Sequence, residues 1–363
     1  MGLHHPSTDD TTGATGTSRV NPDTLRTVCT GILTAHGVPE KDAHLVSDSL
    51  VQADLWGHSS HGVLRLPWYV NRLKSGAMTP VAQPQVLNDL GALLVLDGCN
   101  GMGQVLTEHA RVEAVARAKK HGIGAVGVRN SNHFGTAMYY TRRAAADGCV
   151  SILTTNASPA MAPWGGREKK IGTNPWSIAA PYGETAAVVD IANTAVARGK
   201  IYNARQNGRS IPDTWALTSD GDPTTDPSEA IDGVILPMAG HKGYAISFMM
   251  DVLSGVLTGS QSGTGVHGPY EPNPPGGAGH LFIALDVAAF RDTADFDDAL
   301  GHLVSEVKEC PTATGFDEVF YPGEIEDRSM ASLLTEGITL PETTLRDLAD
   351  LAAASDIPTT DLP

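Results

Sequence analysis

Residues 57–69, GHSSHGVLRLPWY, bring two histidines and an arginine into one short stretch. His61 and Arg65 are four positions apart, so a helix that restarts at Gly62 would place them on one face, one turn from each other. An imidazole titrates near neutral pH, and a guanidinium binds a carboxylate through two parallel hydrogen bonds. The stretch therefore indicates a site that holds a small acid and moves a proton, or else a helix start with Ser60 as N-cap and the charges in water.

A second polar cluster, NSNHFG at 130–135, lies between a predicted strand and a predicted helix. Open α/β sheets bind ligands at such strand ends, so His133 is expected to face a crevice there. Asn132 or Ser131 can cap the helix. Free backbone N–H groups at its start can hold a phosphate, those of Phe134, Gly135 and Thr136. The alternative is a capping turn whose histidine has no function.

Two further stretches carry polar residues at predicted element ends. Asp190 opens the strand end 190–192, where it can hold a ribose hydroxyl or only cap a turn. His241 and Lys242 open a helix expected over 242–257, which is apolar on nearly every side and is therefore expected to be buried. A lysine at a helix N-terminus opposes the helix dipole, so a bound anion would explain Lys242, although its long stem can also reach water.

Neither glycine-rich sequence predicts a dinucleotide fingerprint. GIGAVG at 122–127 has the right spacing, but a helix precedes it and a strand follows, the reverse of the order that brings a pyrophosphate to a helix N-terminus. GCNGMG at 98–103 has the right order and the wrong spacing, so it is interpreted as a tight turn. His58 and His61 have the spacing of two metal ligands, yet no HExxH motif or carboxylate pair completes the set, so no metal is expected.

Composition limits the class of protein. The chain has 363 residues, a formal net charge of −16 and no run of lysine or arginine, which argues against a nucleic-acid-binding protein. Its four cysteines are far apart, so neither a disulfide scaffold nor a zinc ribbon is expected, and a reducing cytoplasm fits. No apolar run approaches the ~18 residues of a membrane span. The polar first residues lack the apolar stretch of a signal peptide, so a disordered tail is expected.

Hydrophobic spacing predicts the elements that position these residues. Helices are expected towards both ends of the chain, and strands alternate with helices in the middle. Strands are predicted near residues 92–96, 124–128, 150–154, 176–180, 186–191 and 281–285. Stretches rich in glycine, proline and aspartate, at 206–232 and 259–279, are interpreted as loops. The length suggests two domains.

Six stretches together resemble one protein family: SHGVLRLPWYVNRLKSG, NSNHFGTAMYY, PWGGREKKIGTNPWSIAAP, SIPDTWALTSDGDPTTDP, GHKGYAISFMMDVLSGVLTG and GFDEVFYPGE. They span roughly residues 20–350. The chain resembles the malate/L-lactate dehydrogenase-type oxidoreductases, which are distinct from the Rossmann lactate and malate dehydrogenases. That family also includes ureidoglycolate dehydrogenase, sulfolactate dehydrogenase, diketogulonate reductase and a reductase of the cyclic imine piperideine-2-carboxylate.

The resemblance implies an α/β fold in which a helical domain, built from both chain ends, joins an α/β nicotinamide-binding domain. That second domain has a largely antiparallel sheet and is not a Rossmann fold. The implied boundaries are a disordered tail at 1–19, the N-terminal part of the helical domain at 20–79, the cofactor-binding domain at 80–290, the C-terminal part of the helical domain at 291–355 and a tail at 356–363. Members of the family are generally homodimers with the site in the crevice between the domains.

Positions that match the family's motifs imply the site residues. His61 and Ser60 match residues implicated in proton transfer, and Arg65 matches the arginine that binds the substrate carboxylate. His133 matches a histidine assigned as proton acceptor in ureidoglycolate-type members. The implied cofactor contacts are Phe134, Gly135, Thr136, Asp190, Ile191, Ala192, His241 and Lys242. Two positions depart from ureidoglycolate-type members: Ala157 stands where those members have a serine, and the NHFG turn stands where they have GHSG. The SIPDTWA and PTTDP segments, in contrast, favour a ureidoglycolate-type assignment.

The sequence therefore predicts an enzyme, an NAD(P)-dependent 2-hydroxy-acid dehydrogenase. It would transfer a hydride between NAD or NADP and C2 of a small 2-hydroxy or 2-oxo acid such as malate, lactate, sulfolactate or ureidoglycolate. The expected partner is this small carboxylate, with no nucleic acid and no membrane. One alternative is an NADPH-dependent reductase of cyclic imino acids, and a remote one is a catalytically silent binding protein on the same fold. Whether His61 or His133 transfers the proton stays open.

Overall fold

The computed structural model describes residues 16–359 and 362. Its helices are α1 (Pro22–Ala35), α2 (Glu40–Leu55), α3 (Leu66–Ser75), α4 (Gly103–His121), α5 (Met138–Ala146), α6 (Arg198–Gln206), α7 (Pro227–Asp232), α8 (His241–Asp251), α9 (Val287–Phe290), α10 (Thr293–Lys308), α11 (Glu324–Glu336) and α12 (Glu342–Ala353). Its strands are β1 (Thr17–Val20), β2 (Gln85–Asp89), β3 (Leu93–Asp97), β4 (Ile123–Ser131), β5 (Cys149–Thr155), β6 (Pro159–Met161), β7 (Ile171–Gly172), β8 (Trp176–Tyr182), β9 (Thr185–Ile191), β10 (Ala216–Leu217), β11 (Val234–Ile235), β12 (Ala278–Asp286) and β13 (Ile338–Pro341). The six predicted strands correspond to β3, β4, β5, β8, β9 and β12.

Seven strands form one sheet in the order β2-β3-β4-β12-β5-β8-β9. β3 and β4 are parallel, and the other neighbouring pairs are antiparallel. Glycines in β4 allow close packing on both faces: a side chain on Gly124 would overlap the backbone of α4, and Gly127, on the opposite face, lies against Thr258. The predicted mixed α/β fold with a largely antiparallel sheet is confirmed.

The two ends of the described chain pair with each other. β1 and β13 form an antiparallel ribbon in which Val20 lies opposite Ile338. Helices α1, α2, α3 and α12 share one apolar core, whose members include Leu25, Ile32, Leu50, Leu66 and Leu348. Residues from both ends of the sequence therefore form a single packed unit, because each contributes part of the same buried surface.

The predicted tails need one correction. A disordered tail over 1–19 is wrong for residues 17–19, which belong to β1 and pair with β13. Residues 1–15 lie outside the described part of the chain. Within the tail predicted at 356–363, Ile357 and Leu362 pack against the helical core, and residues 360, 361 and 363 are not among those described.

The two glycine-rich sequences form turns, as their contexts predict. Gly122 ends α4 with a φ of +83°, a left-handed conformation that favours glycine, and β4 follows at once. The GIGAVG sequence at 122–127 is therefore a helix C-cap followed by a strand. At 98–103 the chain turns sharply from β3 into α4, and Cys99 and Asn100 both have positive φ.

The loop predicted over 206–232 contains structure that the sequence analysis misses. β10 pairs with β11, and α7 starts behind Asp226, whose carboxylate accepts the N–H of Ser228. With α6 these elements enclose a small core: Val196, Ile201, Ala204, Ile211, Ala216, Ala230 and Ile235. An Asp-Pro pair marks a turn as readily as a helix start, so the sequence alone does not distinguish them.

The helix over 242–257 is not buried as predicted. α8 ends at Asp251 and a π-helical turn, Val252–Val256, continues it. Four large apolar side chains are between 47% and 66% exposed, those of Phe248, Met249, Val256 and Leu257. The buried positions are small or polar: Gly243, Ser247, Asp251, Ser254 and Gly255. The helix backbone packs so closely on the sheet that only small side chains fit beneath it, so the large ones point outward. Among the described helices, none combines the length and apolar character that a bilayer crossing requires.

Candidate active site

His61 and Arg65 lie in two consecutive 3₁₀ turns, Ser59–His61 and Val63–Arg65. The prediction that one helix restarts at Gly62 is wrong, because α3 begins only after the second turn. The cause is a carboxylate from α2, that of Asp54, which accepts the N–H of Val63 at 2.8 Å and fills the space beside Gly62. Without a side chain at Gly62 the two turns can fold around this carboxylate.

The imidazoles of His61 and His133 are stacked, with ring centroids 5.6 Å apart and an interplanar angle of 19°. Each ring has a hydroxyl partner. The hydroxyl of Ser60 lies 2.9 Å from Nδ1 of His61, and the hydroxyl of Tyr69 lies 2.8 Å from Nδ1 of His133. The structure thus brings together the three residues predicted for proton transfer and adds a tyrosine that the sequence analysis does not single out.

The hydrogen bonds define which nitrogens can act. The backbone N–H of Gly135 donates to Nδ1 of His133 at 3.3 Å, and a backbone N–H can only donate. Nδ1 of His133 is therefore an acceptor, and the neutral ring carries its proton on Nε2. A serine hydroxyl can donate or accept, so His61 is free to adopt either neutral tautomer beside Ser60.

Both imidazoles are held in the neutral state. Burial, and after it the charge of Arg65, lower the pKa of His61 to about 3. Burial and the same arginine lower the pKa of His133 well below its ordinary value. At neutral pH both rings are therefore uncharged, and His61, whose tautomer is not fixed, is in a form that can accept a proton.

Arg65 is a half-buried cation that has no carboxylate within 4.0 Å among the described residues. Its Nε donates to the carbonyl oxygen of Ser60 at 2.6 Å, and its guanidinium lies 4.2 Å from the ring centroid of Trp68. Buried charges in proteins are normally paired, so an arginine held in this way is arranged to receive an anion. Its remaining N–H groups suit a carboxylate.

The turn after His133 has both packed and open positions. Phe134 is buried against the rings of Tyr140 and His280, at centroid distances of 5.4 and 4.7 Å. Gly135 has a φ of +86° and open space where a side chain would be. The hydroxyl of Thr136 is buried and has no hydrogen-bond partner within the described part of the chain. Gly135 and Thr136 are therefore the positions of this turn that offer polar contacts to a ligand.

Neither Ser131 nor Asn132 caps α5, which corrects the sequence-based expectation. The carboxylate of Asp190 accepts the N–H of Met138 at 2.9 Å and so takes that role. The amide of Asn132 instead accepts from Arg72 at 3.0 Å and donates to two carbonyl groups of the turn before α4. Asp190 thus joins the end of β9 to the turn that carries His133.

The start of α8 lies beside the same strand end. The N–H of Met238 donates to the carbonyl of Asn193 at 2.9 Å, two residues beyond β9. His241 packs edge-on against Trp164 at 5.9 Å, and Lys242 is exposed at the first turn of the helix. Hydrogen bonds therefore link Asp190 to the start of α5, which follows the turn of His133, and Asn193 to the residues just before α8.

These positions fit a dinucleotide. Within the described residues the hydroxyl of Thr136 has no hydrogen-bond partner, Gly135 leaves open space, and Lys242 is exposed at a helix N-terminus, and groups of these kinds suit contact with a pyrophosphate. No group of three metal-binding side chains forms within the described residues.

Comparison with known proteins identifies the family. The family model for malate/L-lactate dehydrogenase matches residues 20–349. The chain belongs to the malate/L-lactate dehydrogenase family. It is 39% identical to the L-sulfolactate dehydrogenase of Methanocaldococcus jannaschii, over 85% of this chain and 90% of that protein. The solved structure of sulfolactate dehydrogenase from that organism superposes with a TM-score of 0.90 at 36% identity, covering 95% of this chain and 99% of the other.

The names of two further relatives specify a cofactor. The ureidoglycolate dehydrogenase (NAD(+)) of Escherichia coli strain K12 is 33% identical over 89% of this chain and 92% of its own length. The (2R)-3-sulfolactate dehydrogenase (NADP(+)) of Chromohalobacter salexigens is 37% identical over 73% of this chain and 80% of its own length. As a member of the malate/L-lactate dehydrogenase family, the chain thus resembles dehydrogenases of several small hydroxy acids.

Three residues around the site of this family member have no distinctive signal in the sequence. Tyr69 follows Arg65 by four positions, a helical spacing that is visible in the sequence but is equally typical of core packing. Tyr270, in the 259–279 loop, lies edge-on to Trp68 at 6.0 Å, and no periodicity in the loop predicts this contact. Arg198 lies 5.8 Å from the ring of Tyr270 and has no recognisable motif around it.

Gly103 holds the histidine turn in place by close backbone contact. A side chain there would overlap the carbonyl groups of Asn132 and His133. We expect Gly103→Ala to lower the free energy of unfolding by about 1–3 kcal/mol and to reduce kcat by displacing His133. Chemical denaturation and initial-rate assays measure the two effects. Gly301→Ala on α10, where the added carbon meets nothing within 4 Å, is the control, and equal behaviour of the two variants would contradict the prediction.

His280 makes the fold sensitive to acid. It is 1% exposed in β12, and its two ring nitrogens contact the hydroxyls of Ser131 and Thr155 at 2.7 and 2.8 Å. Burial lowers its pKa from 6.5 to about 3, so between these values the unfolded chain binds a proton that the folded chain does not. The free energy of unfolding therefore decreases as the pH falls below 6.5, and it is about 2 kcal/mol lower at pH 5 than at pH 7.

This contribution can be isolated by substitution. We expect His280→Gln to be less stable than the wild type at both pH 7 and pH 5. Its free energy of unfolding should, however, fall by about 2 kcal/mol less between pH 7 and pH 5 than that of the wild type, as chemical denaturation measures. The exposed His302→Gln serves as control and should keep the wild-type dependence. Parallel pH profiles for wild type and His280→Gln would refute the prediction.

Proposed function

We propose that this protein is an NAD(P)-dependent oxidoreductase that transfers a hydride between the cofactor and C2 of a small 2-hydroxy or 2-oxo acid. The observation that carries this proposal is the half-buried Arg65, which has no carboxylate partner among the described residues, next to two stacked neutral imidazoles. We place the site in the crevice between a helical domain, residues 20–79 and 291–355, and an α/β domain, residues 80–290. Membership of a family that contains malate, sulfolactate and ureidoglycolate dehydrogenases supports it.

In this proposal Arg65 binds the substrate carboxylate through its free N–H groups and so orients C2. Its stacking on Trp68 and its bond to Ser60 restrict the guanidinium before the substrate arrives, which reduces the entropy lost on binding. When bound, NAD(P) supplies the hydride acceptor or donor at C2. An imidazole accepts the hydroxyl proton in oxidation and returns it to the carbonyl oxygen in reduction.

The two imidazoles divide this task in the proposal. Because Nδ1 of His133 accepts a hydrogen bond from Gly135, the neutral ring carries its proton on Nε2, which favours this ring as a donor to the substrate oxygen. His61 can direct Nδ1–H at the hydroxyl of Ser60 and expose an unprotonated Nε2, which favours it as the acceptor. The neutral state of His61 supports acceptance of a proton at physiological pH.

The residues proposed to hold the cofactor line the path from the histidine turn to α8. Thr136 and the open Gly135 would contact phosphate groups, and Lys242 would add a positive charge at the helix N-terminus. Asp190, Ile191, Ala192 and His241 lie along the same path and complete the proposed set, with Phe134 as packing beneath it. Both NAD and NADP belong in the assay, since relatives are named for each.

A substrate panel tests the proposal. Purified protein is mixed with pyruvate, oxaloacetate, 3-sulfopyruvate or piperideine-2-carboxylate, with NADH and with NADPH, and the nicotinamide absorbance is followed. We expect reduction of at least one 2-oxo acid. Turnover of the cyclic imine alone would favour the imino-acid reductase alternative. No turnover, and no change of intrinsic fluorescence or melting temperature with either cofactor, would favour the silent binding protein.

We also infer a homodimer in the cytoplasm. The four large apolar side chains on α8 and its π-helical continuation form an exposed surface of the kind that a second copy covers. Sedimentation velocity measures the assembly, and a monomer at micromolar concentration would contradict the inference. The four cysteines are unpaired, which supports a reducing compartment.

A further inference from the structure

A second half-buried arginine without a carboxylate partner lies near Arg65. Arg198 opens α6, and its guanidinium lies 5.8 Å from the ring centroids of both Tyr202 and Tyr270. Among the described residues no carboxylate comes within 4.0 Å of it. The whole chain carries 41 acidic residues against 25 lysines and arginines, so this lack of pairing does not reflect a shortage of carboxylates.

Two aromatic rings connect the two arginines. Arg65 stacks on Trp68 at 4.2 Å, Trp68 meets Tyr270 edge to face at 6.0 Å, and Arg198 lies over Tyr270. The hydroxyl of Tyr270 is 3.3 Å from that of Ser158, which connects the ring to the residue directly before β6. The two guanidiniums therefore flank one aromatic pair at the proposed substrate site.

The two charges act on each other. Burial lowers the pKa of Arg65, and the charge of Arg198 adds to that effect. Arg198 also contributes to a lowered pKa of Lys169, whose amine donates to the carbonyl of Ile231 at 3.1 Å. Uncompensated cations that repel one another destabilise the free protein, and a bound anion between them would relieve this repulsion.

We propose that Arg198 is a specificity residue that binds a second anionic group of the substrate. The proposal rests on the function proposed above, in which Arg65 binds the C1 carboxylate. Arg198 would then receive a carboxylate or sulfonate at the far end of a short 2-oxo or 2-hydroxy acid. α6 begins at Arg198 with no side-chain cap, so its helix dipole adds to the attraction. Arg198 thereby selects dianionic over monoanionic acids.

The test compares two substrates that differ in this one group. We expect Arg198→Gln to lower kcat/KM for oxaloacetate about 10–100-fold and to change kcat/KM for pyruvate by less than about threefold, with KM for the nicotinamide cofactor unchanged. Arg198→Lys, which keeps the charge, should retain part of the preference. Arg205→Gln on the same helix, whose arginine lies over Tyr202, is the matched control and should keep the wild-type ratio.

A binding measurement separates this inference from the function on which it rests. Succinate, an unreactive dianion, should raise the melting temperature of the wild type more than propionate does, and Arg198→Gln should abolish the difference. This binding measurement tests the role of Arg198 even if no substrate is turned over. Equal losses on oxaloacetate and pyruvate, a change confined to cofactor KM, or an unaltered succinate effect in Arg198→Gln would each overturn the assignment of Arg198.

Discussion

Replacing His61 or His133 with asparagine is expected to lower kcat for 2-hydroxy-acid oxidation about 10²–10⁴-fold, the usual contribution of a positioned general acid or base. Asparagine keeps a polar group of similar size, so each variant removes one imidazole from the stacked pair with a small change in volume. Because burial holds the pKa of His61 at about 3, wild-type kcat/KM for oxidation should stay level as the pH falls from 8 to 6. Steady-state kinetics over that range measure both effects.

The two variants should differ in a way that reports their roles. If His61 is the acceptor, His61→Asn loses mainly kcat, whereas His133→Asn, which removes an Nε2–H donor to the substrate oxygen, also raises KM. His302→Asn, an exposed histidine on α10, controls for unrelated effects of the substitution. A variant at either stacked position with nearly normal kcat would remove that histidine from the proposed chemistry.

Arg65→Lys is expected to lower kcat/KM by about 10²-fold or more, although the charge is kept. The guanidinium of Arg65 uses Nε to bond the carbonyl of Ser60 and keeps its other N–H groups for the substrate. A lysine amine cannot make both contacts or stack as a plane on Trp68, so the carboxylate would be held loosely and C2 displaced from the imidazoles. Initial rates with the best substrate of the panel measure the loss.

The control for Arg65→Lys is Arg346→Lys, an exposed position on α12. It should leave kcat/KM within about twofold of the wild type, as surface substitutions normally do. Melting temperatures of both variants show whether the fold is intact. Nearly normal turnover by a folded Arg65→Lys would mean that another group binds the carboxylate.

Several features follow from the sequence alone because they depend on neighbours along the chain. The alternation of strands and helices, the C-cap at Gly122 and the absence of a dinucleotide fingerprint follow from local spacing and from the conformational freedom of glycine. The combination of imidazole and guanidinium in residues 57–69 likewise indicates acid binding with proton transfer wherever that stretch lies. The chemistry that these residues can perform follows from their side-chain types.

Only the tertiary structure decides which distant residues meet. His61 and His133 are 72 positions apart and stack because α3 and the turn after β4 pack together, with Tyr69 contacting His133 across that junction. Asp190 caps α5 rather than remaining free at its strand end, and α8 turns its large apolar residues outward because only small ones fit against the sheet. Residue types and local spacing thus determine which chemistry the chain can perform. Packing between distant segments, which no local pattern encodes, determines which groups perform it together.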